Sequence, residues 1–483
     1  MAGSFDVLII GNGVLGLSTA NALVARDPEI RVAIIGPLAR TYGASPAAGA
    51  MMGCFGEITR ASVAGKYGPI KLGLGLQARK LWPAWLDALN ARLPEADRLA
   101  ITPGTFVVAN NRSGLIEDEN FTVMRRTLQQ YQERFEDVDP LHITGMNPAG
   151  DSRPTAALFM PDEGSLDSSR LLAGLAGAAV RSSRVSFLED TVSGLVVEGG
   201  RAVGVLLSDG QKLSAKHVLL ASGVQSQKVL DSLPELARRV PRLLPGMGTS
   251  LVLETTDFPL NPSVIRTPNR AFACGLHVVP RGANRVYVGA TNNTMLAPAD
   301  RPTVSDVFFL MDCMMEQIHQ GYQNAKLIST AVGNRPIAID TLPLIGGTSV
   351  EGLWIASGTY RDGLFLSPLV AQHMAGLILG QGGLMENVFP PERKPINRFT
   401  REEAMEETAR HYAAAGWEHG IRIPKVGWHE TFARMFKRTI TTVYEEIGTD
   451  YVLPPEFVYV VDNDRERMVP YFRDYYRSVD AAW

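Results

Sequence analysis

The sequence predicts an α/β protein: a parallel-sheet domain that opens the chain, a β-rich domain inserted into it, and a helical C-terminal extension. Three observations lead there. The chain starts with a strand, a glycine turn, a helix and a second strand, the order of a parallel βαβ unit. The apolar texture of a buried parallel strand returns near Leu353, after a middle region of alternating strand patterns. Beyond Phe389-Pro390-Pro391-Glu392-Arg393-Lys394-Pro395, helical periodicity takes over.

Taken in order, Phe5–Ile10 is a β-favouring run, Leu17–Arg26 a helix, and Arg31–Ile35 the second strand. A helical region, Leu74–Leu93, precedes a strand at Gly104–Ala109 and a charged helix over Ile116–Phe135. Asp167 caps a helix reaching Arg181, and strands follow at Val185–Leu188, Thr191–Glu198, Ala202–Ser208, Gln211–Ser214 and His217–Ala221. The second insertion, about Pro241 to Gly333, carries strands at Thr249–Glu254, Gly275–Val279 and Arg285–Gly289. Strand Leu353–Ala356, loop Gly358–Gly363 and helix Leu366–Leu379 complete the first domain. Thr400 and Glu403 form a capping box for a helix reaching about Ala415; an apolar face from Phe432 to Ile447 marks another, stopped by Gly448. The division expected is therefore 1–90, 151–235 and 334–388 for the first domain, 91–150 and 236–333 for the inserted domain, and 389–483 for the extension.

Composition excludes several functions. With 47 Lys and Arg against 50 Asp and Glu, the net charge of −3 creates no field that recruits nucleic acid. The 3 cysteines and 8 histidines lack the spacing of a disulfide framework or metal centre, which fits a reducing cytoplasm. No export signal opens the chain, and the longest apolar stretches are too short or too interrupted to cross a bilayer.

Gly11-x-Gly13-x-x-Gly16, which includes Val14 and Leu15, stands between the first strand and helix. Such a turn brings a pyrophosphate to the positive end of a helix, so it implies a dinucleotide. The acidic residue that usually holds the ribose is missing, because Ile35 is followed by Gly36 and Pro37. Arg40 nearby fits either an NADP phosphate or a surface position, so this turn leaves nicotinamide and flavin both open.

Further motifs decide. Ala44-Ser45-Pro46-Ala47-Ala48-Gly49-Ala50-Met51, Pro161-Asp162-Glu163-Gly164-Ser165-Leu166-Asp167, Ala221-Ser222-Gly223-Val224-Gln225-Ser226 and Gly358-Thr359-Tyr360-Arg361-Asp362-Gly363-Leu364-Phe365-Leu366-Ser367-Pro368 together resemble the D-amino-acid oxidase and glycine oxidase family over about residues 4 to 385. The resemblance implies a Rossmann-type, glutathione-reductase-like FAD domain with an inserted substrate domain. It places Ser45, Ala47, Ala48, Gly49 and Met51 beside the flavin, Val192, Ala221, Ser222 and Gly223 at the adenosine half, and Gly358, Tyr360, Arg361, Asp362, Gly363, Leu364 and Phe365 under the flavin ring. It also implies non-covalent FAD, since the cysteine segment of sarcosine oxidases has no counterpart near Arg335 or Gly358. Cys54, the one cysteine near these loops, reads as a small apolar side chain.

Three residues carry the expected chemistry. Gly333-Asn334-Arg335-Pro336 resembles the family segment whose arginine clamps a substrate carboxylate; the alternative for Arg335 is a buried ion pair. Arg361 stabilises negative charge on reduced flavin, or forms a loop salt bridge. His277 stands where the family carries a tyrosine, either bonding a carboxylate or hydroxyl of the substrate or sitting satisfied in the core. Thr359 replaces a family histidine. The implied reaction is oxidation of an amine or amino-acid C–N bond to an imine, with oxygen as acceptor. A quinone- or protein-linked dehydrogenase and a flavin-bearing interaction protein are the alternatives. The extension is expected to pack on the catalytic body, a second subunit or a partner protein.

Overall fold

The computed structural model describes residues 5–483 apart from 113, 387, 419, 420 and 422–425. Strand Phe5–Ile10 lies at the centre of an eight-stranded sheet, between Val32–Ile35 and Lys212–Leu220, both parallel to it. Val185–Leu188 extends one side; Leu353–Ser357 and the antiparallel Leu344–Gly347 extend the other. Val7, Leu8, Ile9, Val32, Ala33 and Ile34 are wholly buried, because both faces of the sheet are covered. Helices Val14–Arg26, Tyr67–Asn90, Ser168–Val180 and Ser367–Ile378 pack on one face. An antiparallel meander, Val192–Glu198 and Arg201–Leu207 with the start of Lys212–Leu220, packs on the other.

The parallel strands end level. Ile10 stands opposite Ile35 and Leu220, Ile35 opposite Leu188, and Leu220 opposite Ile355. Their carboxyl ends form one rim, the place where open parallel sheets receive a ligand.

The second sheet has ten strands, and its longest ladder joins Leu243–Glu254 to Lys326–Ala338. The second of these has no strand signal that survives Pro336, since proline interrupts a ladder. Pro336 faces Pro245 across the pair, so two residues without an N–H share one gap. Pro154–Ser165 is likewise a strand of this sheet, paired with Thr102–Asn110, although its end resembles only a helix entry in sequence. Gln211–Ser214 and His217–Ala221, expected as separate strands, are one continuous strand that changes partner along its length. The β-rich insertion also contains helix Val304–Gln317, capped reciprocally by Thr303 and Asp306.

Four helices form the extension among the described residues, where periodicity shows two: Arg401–Glu418, Trp428–Ile447, Pro455–Asn463 and Arg465–Ala482. The Thr400–Glu403 box forms, and Gly448 stops its helix with φ of 68°. Ile440, Val443, Phe457 and Phe472 pack with Leu244 and Ile337 of the long ladder and with Ile339 just past its end. Arg393 holds Asp340 by paired bonds of 2.9 and 3.0 Å at the start of the extension. The extension thus docks on its own chain.

Candidate active site

A cavity of about 570 Å³ is lined by the rim of the parallel sheet and by residues of the second sheet. Gly11 begins it with φ of +115°, and a Cβ there would lie 2.4 Å from the Ala221 carbonyl oxygen. One on Gly16 would lie 2.0 Å from the oxygen of Gly11, so the turn closes only with glycine at both. Val14 N–H donates to Ser45 Oγ at 3.1 Å, which ties the small-residue loop to the positive end of the helix. Arg40 lines the cavity and donates from Nε to the Asn12 carbonyl at 3.0 Å, so it is held at the glycine turn and does not stand free on the surface.

Every residue assigned to the cofactor from sequence lines this cavity except Gly16 and Gly358. Gly16 serves the close packing of the turn. Gly358 sets the direction of its loop with φ of +68°.

The far end collects the charged groups. Arg335 follows from the ladder, opposite Gly246, and its guanidinium passes Gly248, where a Cβ would sit 2.3 Å from Nη1. Nη1 donates to the Thr291 carbonyl at 3.0 Å and to Asn292 Oδ1 at 3.3 Å. No carboxylate pairs with it among the described residues, so the buried ion pair left open by sequence does not form. Tyr360 N–H donates to the Pro336 carbonyl at 3.1 Å, which draws loop Gly358–Gly363 beside Arg335. Arg361 Nη2 donates to the Tyr360 hydroxyl at 3.0 Å, and its buried Nε has no partner. The loop salt bridge, the alternative left open for Arg361, is absent too among the described residues. An unpartnered guanidinium donor in a cavity fits a ligand rich in acceptor oxygens.

His277 is buried, and its Nδ1 lies 2.9 Å from the Gly275 carbonyl, which makes that nitrogen the donor and Nε2 an acceptor. Burial and the nearby Arg266 push its pKa down to about 4, so the ring is neutral near pH 7. A neutral ring in this tautomer does not donate to a carboxylate from Nε2; it accepts from an amine or hydroxyl. Its neighbour Tyr287 stacks on it at 5.7 Å and donates to the Ala47 carbonyl at 2.9 Å. Since the folded value lies below the ordinary 6.5, the stability gained by keeping His277 neutral is present above 6.5 and lost as pH falls toward 4. Histidine-labelled NMR is expected to show this ring still neutral after the exposed histidines have protonated; titration near 6.5 contradicts its burial.

Sequence reasoning missed four residues here. Glu57 lines the cavity and pairs with Arg266 at 2.5 Å, and Arg266 is only 1% exposed. Burial would raise the Glu57 carboxyl, but Arg266 and Arg361 outweigh it and hold its pKa at about 2. Tyr287 and Cys274 also line the cavity. Cys274, and not Cys54, is therefore the cysteine at the site. Cys54 packs against Gly75 and burial pushes its thiol up. Only Tyr287 carried a signal, as the aromatic of an expected strand; a lone Glu in a loop and an Arg on a three-residue strand carry none.

A glycine turn at the rim, a long cavity and unpaired arginines at its end define a dinucleotide-binding protein that holds an acceptor-rich small molecule against its cofactor. The chain belongs to the FAD dependent oxidoreductase family, whose sequence pattern matches residues 6–377. It is similar to the glycine oxidase of Pseudomonas putida, 26% identical over 385 residues, covering 78% of this chain and 95% of that protein. The glycine oxidase of Geobacillus kaustophilus is 26% identical over 396 residues, covering 78% and 94%. Its crystal structure superposes with a TM-score of 0.68 at 23% identity, covering 81% and 99%. That of iminodiacetate oxidase from Chelativorans gives 0.66 at 22%, covering 81% and 100%. These superpositions establish the fold, and the cofactor is FAD. The glycine turn and the small-residue loop fit that group. No helix among the described residues is long and apolar enough to cross a membrane, and no group of residues there can hold a metal ion.

Proposed function

We propose that this protein oxidises the C–N bond of an amine or amino acid to an imine and passes the electrons to oxygen. The observation that carries this reading is Arg335, aimed into the FAD cavity with backbone and amide partners but no carboxylate. Bound non-covalently there, FAD supplies the two-electron oxidation. Arg335 grips a substrate carboxylate through parallel charge-assisted bonds and so fixes the α-carbon. His277 Nε2, a neutral acceptor, takes an N–H of the substrate amine and orients it. Arg361 adds a fixed positive charge where negative charge develops. Water then releases a carbonyl compound and ammonia or an amine. Free Cys54, Cys274 and Cys313 support a cytoplasmic location. A partner for the extension, another copy or a second protein, would meet the exposed Trp428 and Met435.

Oxygen uptake matched by peroxide during turnover of an amino-acid substrate is the expected result. Substrate reduction that persists in air instead assigns the site to a dehydrogenase.

A further inference from the structure

A second chamber of about 150 Å³ lies between the catalytic body and the extension. It shares Glu57, Tyr360, Arg361 and Asp362 with the FAD cavity, so the two meet at loop Gly358–Gly363. Its far wall is Arg398 together with Pro454, Pro455 and Glu456, all from the extension.

Most charges in its wall are matched. Lys71 pairs with Asp362 at 2.8 Å, Arg270 with Glu117 at 3.2 Å, and Glu407 with Arg60. Two cations are not. Arg398 is oriented by bonds from Nη1 to Thr341 Oγ1 at 3.0 Å and from Nη2 to the Ala61 carbonyl at 3.1 Å, yet no carboxylate pairs with it among the described residues. Arg361 likewise has no carboxylate partner among the described residues, and its Nε is unpartnered there. Against them stands one unpaired carboxylate, Glu456, which accepts from the Tyr360 hydroxyl at 3.4 Å. Glu456 occupies the first turn of helix Pro455–Asn463, where the helix dipole offsets its charge. The chamber therefore carries surplus positive charge beside a desolvated wall, a state that an anionic ligand relieves.

We propose that the substrate is an amino acid with two anionic ends: Arg335 holds the α-carboxylate, and Arg398 with Arg361 holds a second carboxylate or a phosphate in this chamber. The inference rests on the amine-oxidation reading for its chemistry but not for its binding site. The extension, absent from the family match, then serves as the wall that selects the side chain.

The test uses the FAD-loaded full chain. D- and L-forms of alanine, aspartate, glutamate and O-phosphoserine are compared by kcat/KM. At least one acidic amino acid is expected to exceed alanine of the same hand, with aspartate or glutamate against phosphoserine distinguishing carboxylate from phosphate. Arg398→Met is expected to lower that preference about tenfold or more, the worth of one charge-assisted bond, with Arg398→Lys retaining part of it. Malonate, succinate and glutarate are titrated in parallel against acetate, followed by the flavin absorption spectrum of the unaltered protein. That series decides the matter if an Arg398 variant does not fold. A dicarboxylate binding more tightly than acetate, with no amino acid oxidised, leaves the chamber assigned and overturns only the oxidase. Turnover of alanine in preference to every acidic amino acid, with dicarboxylates binding no better than acetate, overturns the second anion site and leaves the oxidase standing.

Discussion

Arg335→Met is expected to raise KM for a carboxylated substrate by roughly 10- to 1,000-fold, with far less effect on FAD content. The size follows from about 1.5–3 kcal/mol for each hydrogen bond to a charged group, lost where no other protein group replaces it. The structure strengthens the expectation, because Arg335 spends no bond on a protein carboxylate and so is free to give its charge to the substrate. Steady-state kinetics with flavin content measured on the same samples check it. Unchanged KM shows that another group holds the carboxylate or that the substrate has none.

Glu57→Ala is expected to destabilise the fold by about 3 kcal/mol or more, the scale for leaving a buried charge without its partner. Arg266 would keep Asn269 Oδ1 at 2.8 Å and the Thr267 carbonyl at 3.2 Å, neither of which cancels its charge. A lower urea midpoint measures the loss. The same carboxylate adds an acid limit: with its folded pKa near 2 and its ordinary value 4.5, its contribution is complete above 4.5 and disappears as pH falls through about 2. A midpoint that does not move in the variant means the pair adds nothing net to stability.

The parallel sheet was legible because its signals are local. Burial on both faces makes Val7–Ile10, Val32–Ile35 and Leu353–Ala356 apolar, and the glycine turn needs glycine for reasons of space alone. The residues assigned to the cofactor from sequence cluster at strand ends, so placing the strands places them. The second sheet was harder to read. Lys326–Ala338 is exposed over its first half, with polar and apolar residues mixed, and carries a proline near its end, and only pairing with Leu243–Glu254 makes it a strand. Helix Val304–Gln317 had a legible capping box at Thr303 and Asp306, overridden by the strand patterns around it.

Of the chemistry, Arg335 and Arg361 were readable as residue types in a motif, but their lack of protein carboxylates was not. Pairing depends on distant segments: Glu57 meets Arg266 across 209 residues of chain. The tautomer of His277 likewise comes from the Gly275 carbonyl, and its neutrality from burial and from Arg266, none of them visible as a periodic pattern. The role of the extension in walling the second chamber rests wholly on tertiary docking.

Anaerobic mixing of the purified yellow protein with a panel of amines and amino acids, followed at the flavin absorption bands, tests C–N oxidation at this site most directly. Bleaching by at least one of them, with one equivalent of carbonyl product per FAD, is the expected result. Flavin that stays oxidised under every amine and amino acid, while another class of substrate reduces it, contradicts amine oxidation here.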